Sequence, residues 1–177
     1  APEMLKEPLT SLDKISSDLD DVLRQIDLKT IDIVTFSGSG EPTLSLDLRR
    51  IAERVKSKIG ALPMALLTNS SLLCREDVRS NLSKFDLVVA KLDVGNDEAL
   101  RRINRPVNRE LSLETIIDSI RKLKTEIRGS LALQVMLLQS QDEKATNIEG
   151  KNLEDLINAI VKVKPDIVQL EVPYRPT

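Results

Sequence analysis

Histidine and tryptophan are absent from the chain, cysteine occurs once as Cys74, and the only aromatic rings are Phe36, Phe85 and Tyr174. Without histidine, Ser-His-Asp chemistry, Cys-His nucleophiles and histidine-ligated zinc are closed to this polypeptide. A single thiol permits no intrachain disulfide and no iron–sulfur cluster held by three thiolates of the chain. Beside Leu72 and Leu73 that thiol is expected to be partly buried and structural. An excess of one charge is also missing: 26 basic and 28 acidic residues give a net charge of −2. With the signs interspersed, nucleic acid and anionic membranes meet no broad attraction. No apolar run approaches the roughly 18 residues of a membrane span, and residues 1–6 lack a signal-peptide core, so the expected address is the cytoplasm.

What the chain has is an ordinary soluble composition, 41% hydrophobic and 31% charged over 177 residues, which fits one domain spanning 1–177. Its most distinctive stretch is Thr35-Phe36-Ser37-Gly38-Ser39-Gly40-Glu41-Pro42-Thr43-Leu44. A β-branched run over 31–36 breaks there into small residues before a helix begins, and two glycines let a backbone approach a ligand without a Cβ in the way. Glu41, preceding proline, is pushed out of the α region. A tight strand-to-helix turn needs no more than this.

Hydrophobic periodicity organises the rest. Residues 1–9 carry two prolines and no apolar period. Leu12, Ile15, Leu19, Val22, Leu23 and Ile26 recur at helical spacing and predict a helix of about four turns, with Thr10 or Ser11 as its cap. Further helices are expected from Leu48 to Ile59, from about 75 to 82, around 97–103, from Ser112 to Ile127 and over 153–161. Strands are expected at 31–36, 64–68, 87–92, 131–138 and 166–172, with the polar stretch 139–150 as loop. Strands returning after crossovers too long for hairpins predict a parallel α/β sheet of about five βα units.

The last residues of two strands are polar on one face only, Lys91 with Asp93 and Gln169 with Glu171. An open doubly wound sheet would want apolar side chains on both faces, so a curved partial (β/α) barrel, TIM-like, is the expected form. Ser37, Glu41, Thr68, Asn69, Lys91, Asp93, Gln134, Gln169, Glu171 and Arg175 then fall at its C-terminal rim or on its inner face, where loops of several strands converge. Lys91 and Asp93 serve equally as an internal ion pair or as ligand groups. The Arg105 guanidinium suits a carboxylate or a phosphate, or a loop cap. Tyr174 either stacks on a base or packs against a neighbouring proline.

Gly38-Ser39-Gly40-Glu41, followed in order by Thr68-Asn69-Ser70, Lys91-Leu92-Asp93, Asn104-Arg105-Pro106 and 168–176, resembles the radical S-adenosylmethionine (SAM) superfamily in its Fe-S oxidoreductase branch. The resemblance implies that Gly38, Gly40 and Glu41 hold the methionyl amino end of SAM, with Ser37 beside them. Thr68 and Asn69 would line the floor, Lys91 and Asp93 would reach the carboxylate or ribose, and 172–175, including Tyr174 and Arg175, would border the adenine, with Glu171 also counted among the SAM-binding residues. It also implies a 4Fe-4S cluster on a Cys-x3-Cys-x2-Cys loop, which reduces SAM to a 5′-deoxyadenosyl radical. That loop is not in this sequence, and Thr-Asn-Gly is replaced by Thr68-Asn69-Ser70. The count of units matches a six-unit barrel without its first, a chain inactive by itself and with an exposed edge at 31–36 open to self-association. Two other readings use the same residues. One is a non-catalytic SAM- or nucleotide-binding module; the other is a barrel enzyme with Lys91 as Schiff-base nucleophile, which Asp93 opposes by raising the lysine pKa.

Overall fold

In the computed structural model, residues 11–38 and 40–173 are described. Helix α1 (Leu12–Leu23) starts at Ser11, whose side chain accepts the Lys14 N–H at 3.2 Å. It is shorter than its periodicity suggests: Asp27 caps a 3-10 turn, Leu28–Thr30, that takes over before the sheet. Strand β1 (Val34–Phe36) follows, then a 3-10 turn, Pro42–Leu44, and α2 (Leu48–Ile59). In α2 the buried residues Leu48, Ala52, Val55 and Ile59 form one stripe, and Gly60, at φ 64°, ends it.

The pattern continues with β2 (Met64–Thr68), α3 (Glu76–Asn81) and β3 (Leu87–Lys91). A short α4 (Asp97–Ala99) runs directly into a π-helical turn, Leu100–Asn104, where the sequence suggested a plain helical piece. Then come α5 (Leu113–Glu126), β4 (Ser130–Met136), α6 (Gly150–Val163) and β5 (Ile167–Glu171). All pairings are parallel, in the order β1-β2-β3-β4-β5.

The faces of this sheet differ. Leu66, Val88, Ala90, Leu131 and Leu133 are buried in one core with Leu48, Ala52, Ile116, Ile120 and Leu123 from the helices. The alternating residues Ala65, Val89 and Ala132 are short and lie outside that cluster. In register with them run Lys91, Gln134 and Gln169, one polar row near the C-terminal edge. Helical cover on one face and polar side chains on the other are what the partial barrel requires. None of the helices among the described residues is long and apolar enough to cross a membrane.

Cys74 departs from expectation. It is exposed, whereas Leu72 and Leu73 beside it are buried. The carbonyls of Leu73 and Cys74 both accept from the Arg79 guanidinium, which also pairs with Glu126 at 2.8 Å. Satisfying that buried cation turns the backbone inward and leaves the thiol outside.

Two contacts fix how the units stack. A Cβ added to Gly95, after β3, would sit 1.9 Å from the Asp155 carbonyl carbon in α6. Gly95→Ala must therefore push a loop off a helix, and is expected to lower unfolding stability by about 2 kcal/mol or more in urea titration. At the start of β5, Asp166 accepts the Leu131 N–H and the Lys124 ammonium, each at 2.9 Å. The backbone bond first, and the lysine second, hold its carboxyl below the usual range. Its contribution is present above the unfolded pKa, ~3.9, and disappears as pH falls through the lower folded value. The stability gap between the native chain and Asp166→Asn should narrow on acidification below about pH 4, read from denaturation midpoints at stepped pH.

Candidate functional site

At the C-terminal edge of the sheet the glycine-rich loop is held by its own acid. Glu41 Oε1 accepts from the Thr43 amide at 3.2 Å, the Thr43 hydroxyl at 2.6 Å and the Thr68 hydroxyl at 2.7 Å; Oε2 accepts from the Asn69 amide at 2.7 Å. The proline that follows starts the 3-10 turn for which Glu41 is the cap. The carboxylate thus ties the loop after β1 to the end of β2, and Oε2, with one donor, keeps capacity for another. The glycines themselves are exposed, and a Cβ on Gly40 would meet nothing within 4 Å.

After β2 the chain turns sharply. Ser70 is buried at φ 67°, a left-handed conformation that glycine takes at no steric cost. Its hydroxyl donates to the Lys91 carbonyl at 2.9 Å, an offsetting bond that glycine lacks. The serine in Thr68-Asn69-Ser70 is therefore accommodated by β3.

Asp93, only 2% exposed, is the most buried of the charged residues at this edge. Oδ1 accepts the Met136 N–H at 2.8 Å and lies 3.4 Å from Lys91 Nζ; Oδ2 accepts from the Asn104 amide at 2.8 Å. Its backbone carbonyl accepts from the wholly buried Asn147, which also donates to the Met136 carbonyl. One carboxylate thereby joins β3, β4 and the π-helical turn. Lys91, with 30% of its side chain exposed, retains access to solvent.

A cavity of about 390 Å³ opens between the loops after β2 and β3, lined by Glu41, Asn69, Lys91, Asp93 and Asn104 and by an apolar wall that includes Leu72, Leu92 and Leu100. An apolar pocket of this size with few convergent polar groups is the usual form of a small-molecule site.

Residues 11–149 match the Radical SAM superfamily. The chain belongs to that superfamily. A radical SAM protein of this sequence is 40% identical over 146 residues to a UPF0026 protein of Synechocystis, covering 82% of the chain and 52% of the relative. It is 36% identical over 167 residues to a protein of Brachyspira hyodysenteriae named GTPase Obg, covering 94% of the chain and 23% of that relative. The chain thus spans about half of one relative and a quarter of the other. Its fold resembles coproporphyrinogen III oxidase (HemN) from Escherichia coli, described as a radical SAM enzyme, with TM-score 0.59 at 14% identity over 92% of the chain and 38% of that enzyme.

Of the residues singled out in this radical SAM chain, the cavity unites Glu41, Asn69, Lys91 and Asp93. Thr68 stands behind them, 5% exposed with its hydroxyl on Glu41. Ser37, Gly38 and Gly40 are exposed on the loop and do not line the cavity. Glu171 accepts from Gln134 at 2.8 Å, a bond across β4 and β5 away from it. Tyr174 and Arg175 lie outside the described residues. Ser70, Asn104 and Asn147 carry structural duties that periodicity had not assigned. Asn104 had a signal in its Asn-Arg-Pro context, whereas Asn147 sits in a polar stretch that gave none.

Asp93 is thus committed to the fold, and Lys91 is not. Asp93→Ala leaves two donors without acceptors and is expected to cost about 2–3 kcal/mol. Lys91→Met keeps both hydrogen bonds but leaves the buried carboxylate without its cation, and should also lower stability; parallel urea titrations compare the two.

Proposed function

We propose that this chain is the SAM-binding portion of a radical SAM enzyme. The observation that carries the reading is the shared cavity of Glu41 and Lys91, an acid in the loop after β1 and a base at the end of β3, with β2 between them. An amino-acid zwitterion asks for that pair: the free capacity of Glu41 Oε2 meets the ammonium, and the Lys91 ammonium meets the carboxylate. Asn69 stands between them on the cavity floor, and Asp93 orients Lys91 through its own buried carboxylate. The exposed faces of Gly38 and Gly40 leave room for the ligand backbone.

The 4Fe-4S cluster of the family does not fit the donors present. The chain has one cysteine, exposed Cys74, and among the described residues no group of three histidine, cysteine or acidic side chains is placed to hold a metal. The reading therefore assigns the cluster thiolates to polypeptide outside these residues, and makes this chain alone a binding unit without radical chemistry. The relatives' greater length supports that division.

Titration of the chain with SAM, followed by amide shifts, tests the proposal. Deprived of a cluster to chelate the ligand, the site should bind at about millimolar Kd, ~4 kcal/mol. Gly40→Val, whose side chain enters open space and leaves the fold alone, and Lys91→Met should each weaken binding at least tenfold. Equal affinity in all three proteins, or shifts confined away from 38–41, 69 and 91, would sink it.

A further inference from the structure

We propose a second binding site, for the terminal phosphate of a small-molecule ligand, formed by Arg101, Arg105 and Arg109 on the segment between the π-helical turn and α5. These three guanidiniums and Pro106 line a cavity of about 350 Å³. No acidic side chain lines it, although the chain holds more acids than bases. Among the described residues, none of the three has a carboxylate within ion-pair distance. Arg102, between them in sequence, behaves differently: it pairs with Asp142 at 2.9 Å and approaches Glu98 at 3.9 Å.

Two of the arginines are held by a hydrogen bond, and most donors of all three are spare. One Arg101 donor is spent on the Arg109 carbonyl at 2.8 Å, which ties the two ends of the segment together. Arg105 donates through Nε to the Arg102 carbonyl at 3.1 Å and takes a left-handed backbone, φ 47°, where the π-helical turn ends. Each guanidinium has five N–H donors, so several remain on all three. Like charges gathered without a counter-ion repel, and a bound anion relieves that repulsion while accepting bidentate bonds. Three cations favour a doubly charged phosphate over a singly charged carboxylate.

Arg105 and Pro106 also line the larger cavity of Glu41 and Lys91. A ligand at the arginines therefore sits at the border of that cavity, where the phosphate end of a substrate would be fixed while its body reaches inward. The three arginines fall within nine residues of one segment, a compact patch that favours a terminal phosphate on a small molecule over a polymer backbone, which needs an extended basic track. The phosphate site itself does not depend on SAM occupying the neighbouring cavity.

The test is titration of the full chain with pyrophosphate, acetate and potassium chloride at matched ionic strength, and with a short single-stranded oligonucleotide, followed by amide shifts. Pyrophosphate should shift residues 100–110, and binding should fall at least tenfold in the triple variant Arg101→Gln, Arg105→Gln, Arg109→Gln. It should be unchanged in Arg49→Gln, Arg54→Gln, which removes exposed arginines of α2. Both variants alter exposed side chains, and an unchanged melting temperature verifies their folding. Loss of SAM binding without loss of pyrophosphate binding would tell against the function proposed above and not against this site. Chloride or acetate reproducing the shifts, or the triple variant binding as the native chain does, overturns the phosphate site; tighter binding of the oligonucleotide per phosphate overturns the small-molecule source.

Discussion

The buried Asp93 carboxylate is the constraint on which the C-terminal edge of the sheet depends. A parallel sheet ends in strands that leave for separate crossovers, and backbone groups there lose their ladder partners. Asp93 answers for several at once. It receives the Met136 N–H from the next strand and the Asn104 amide from the π-helical turn, while Asn147 binds its carbonyl. A buried charge is tolerated when it is hydrogen-bonded and paired, and Asp93 has a hydrogen bond on each oxygen and a lysine beside it. Because Asp93 needs its neighbours, its neighbours acquire fixed places, and Lys91, 3.4 Å away, is held toward the cavity.

Glu41 does for the first two strands what Asp93 does for the next two. Its carboxylate gathers donors from Thr43, Thr68 and Asn69, so the loop after β1 is fixed although its glycines lie open. Ser70 completes the chain of ties by bonding the Lys91 carbonyl from a left-handed backbone. The site is assembled by side chains holding backbone at strand ends. Binding capacity is left over where that work stops, at the second oxygen of Glu41 and the ammonium of Lys91.

One-sided helical cover accounts for the curvature and for the two kinds of surface. Large apolar residues face the helices, and short or polar ones face the other way, so ligand chemistry has one concave side to occupy. On β5 the helix-facing set, Val168 and Leu170, is exposed among the described residues.

Much of this was legible from the sequence by itself. A short apolar run placed β2 at Met64–Thr68, and a 3.6-residue period placed α2 at Leu48–Ile59, since β2 is buried on both faces and α2 along one stripe that ends at Gly60. The motif order from Gly38 through 168–176 pointed to the superfamily, because a motif depends on residue identity alone. Only the tertiary structure decided the division of labour within the site. Lys91 and Asp93 are equivalent in a pattern, but burial makes one a girder and leaves the other available. Cys74 looked partly buried beside two leucines until Arg79 claimed the carbonyls of its turn. Asn147 gave no periodic signal, for its role is set by partners from distant parts of the chain.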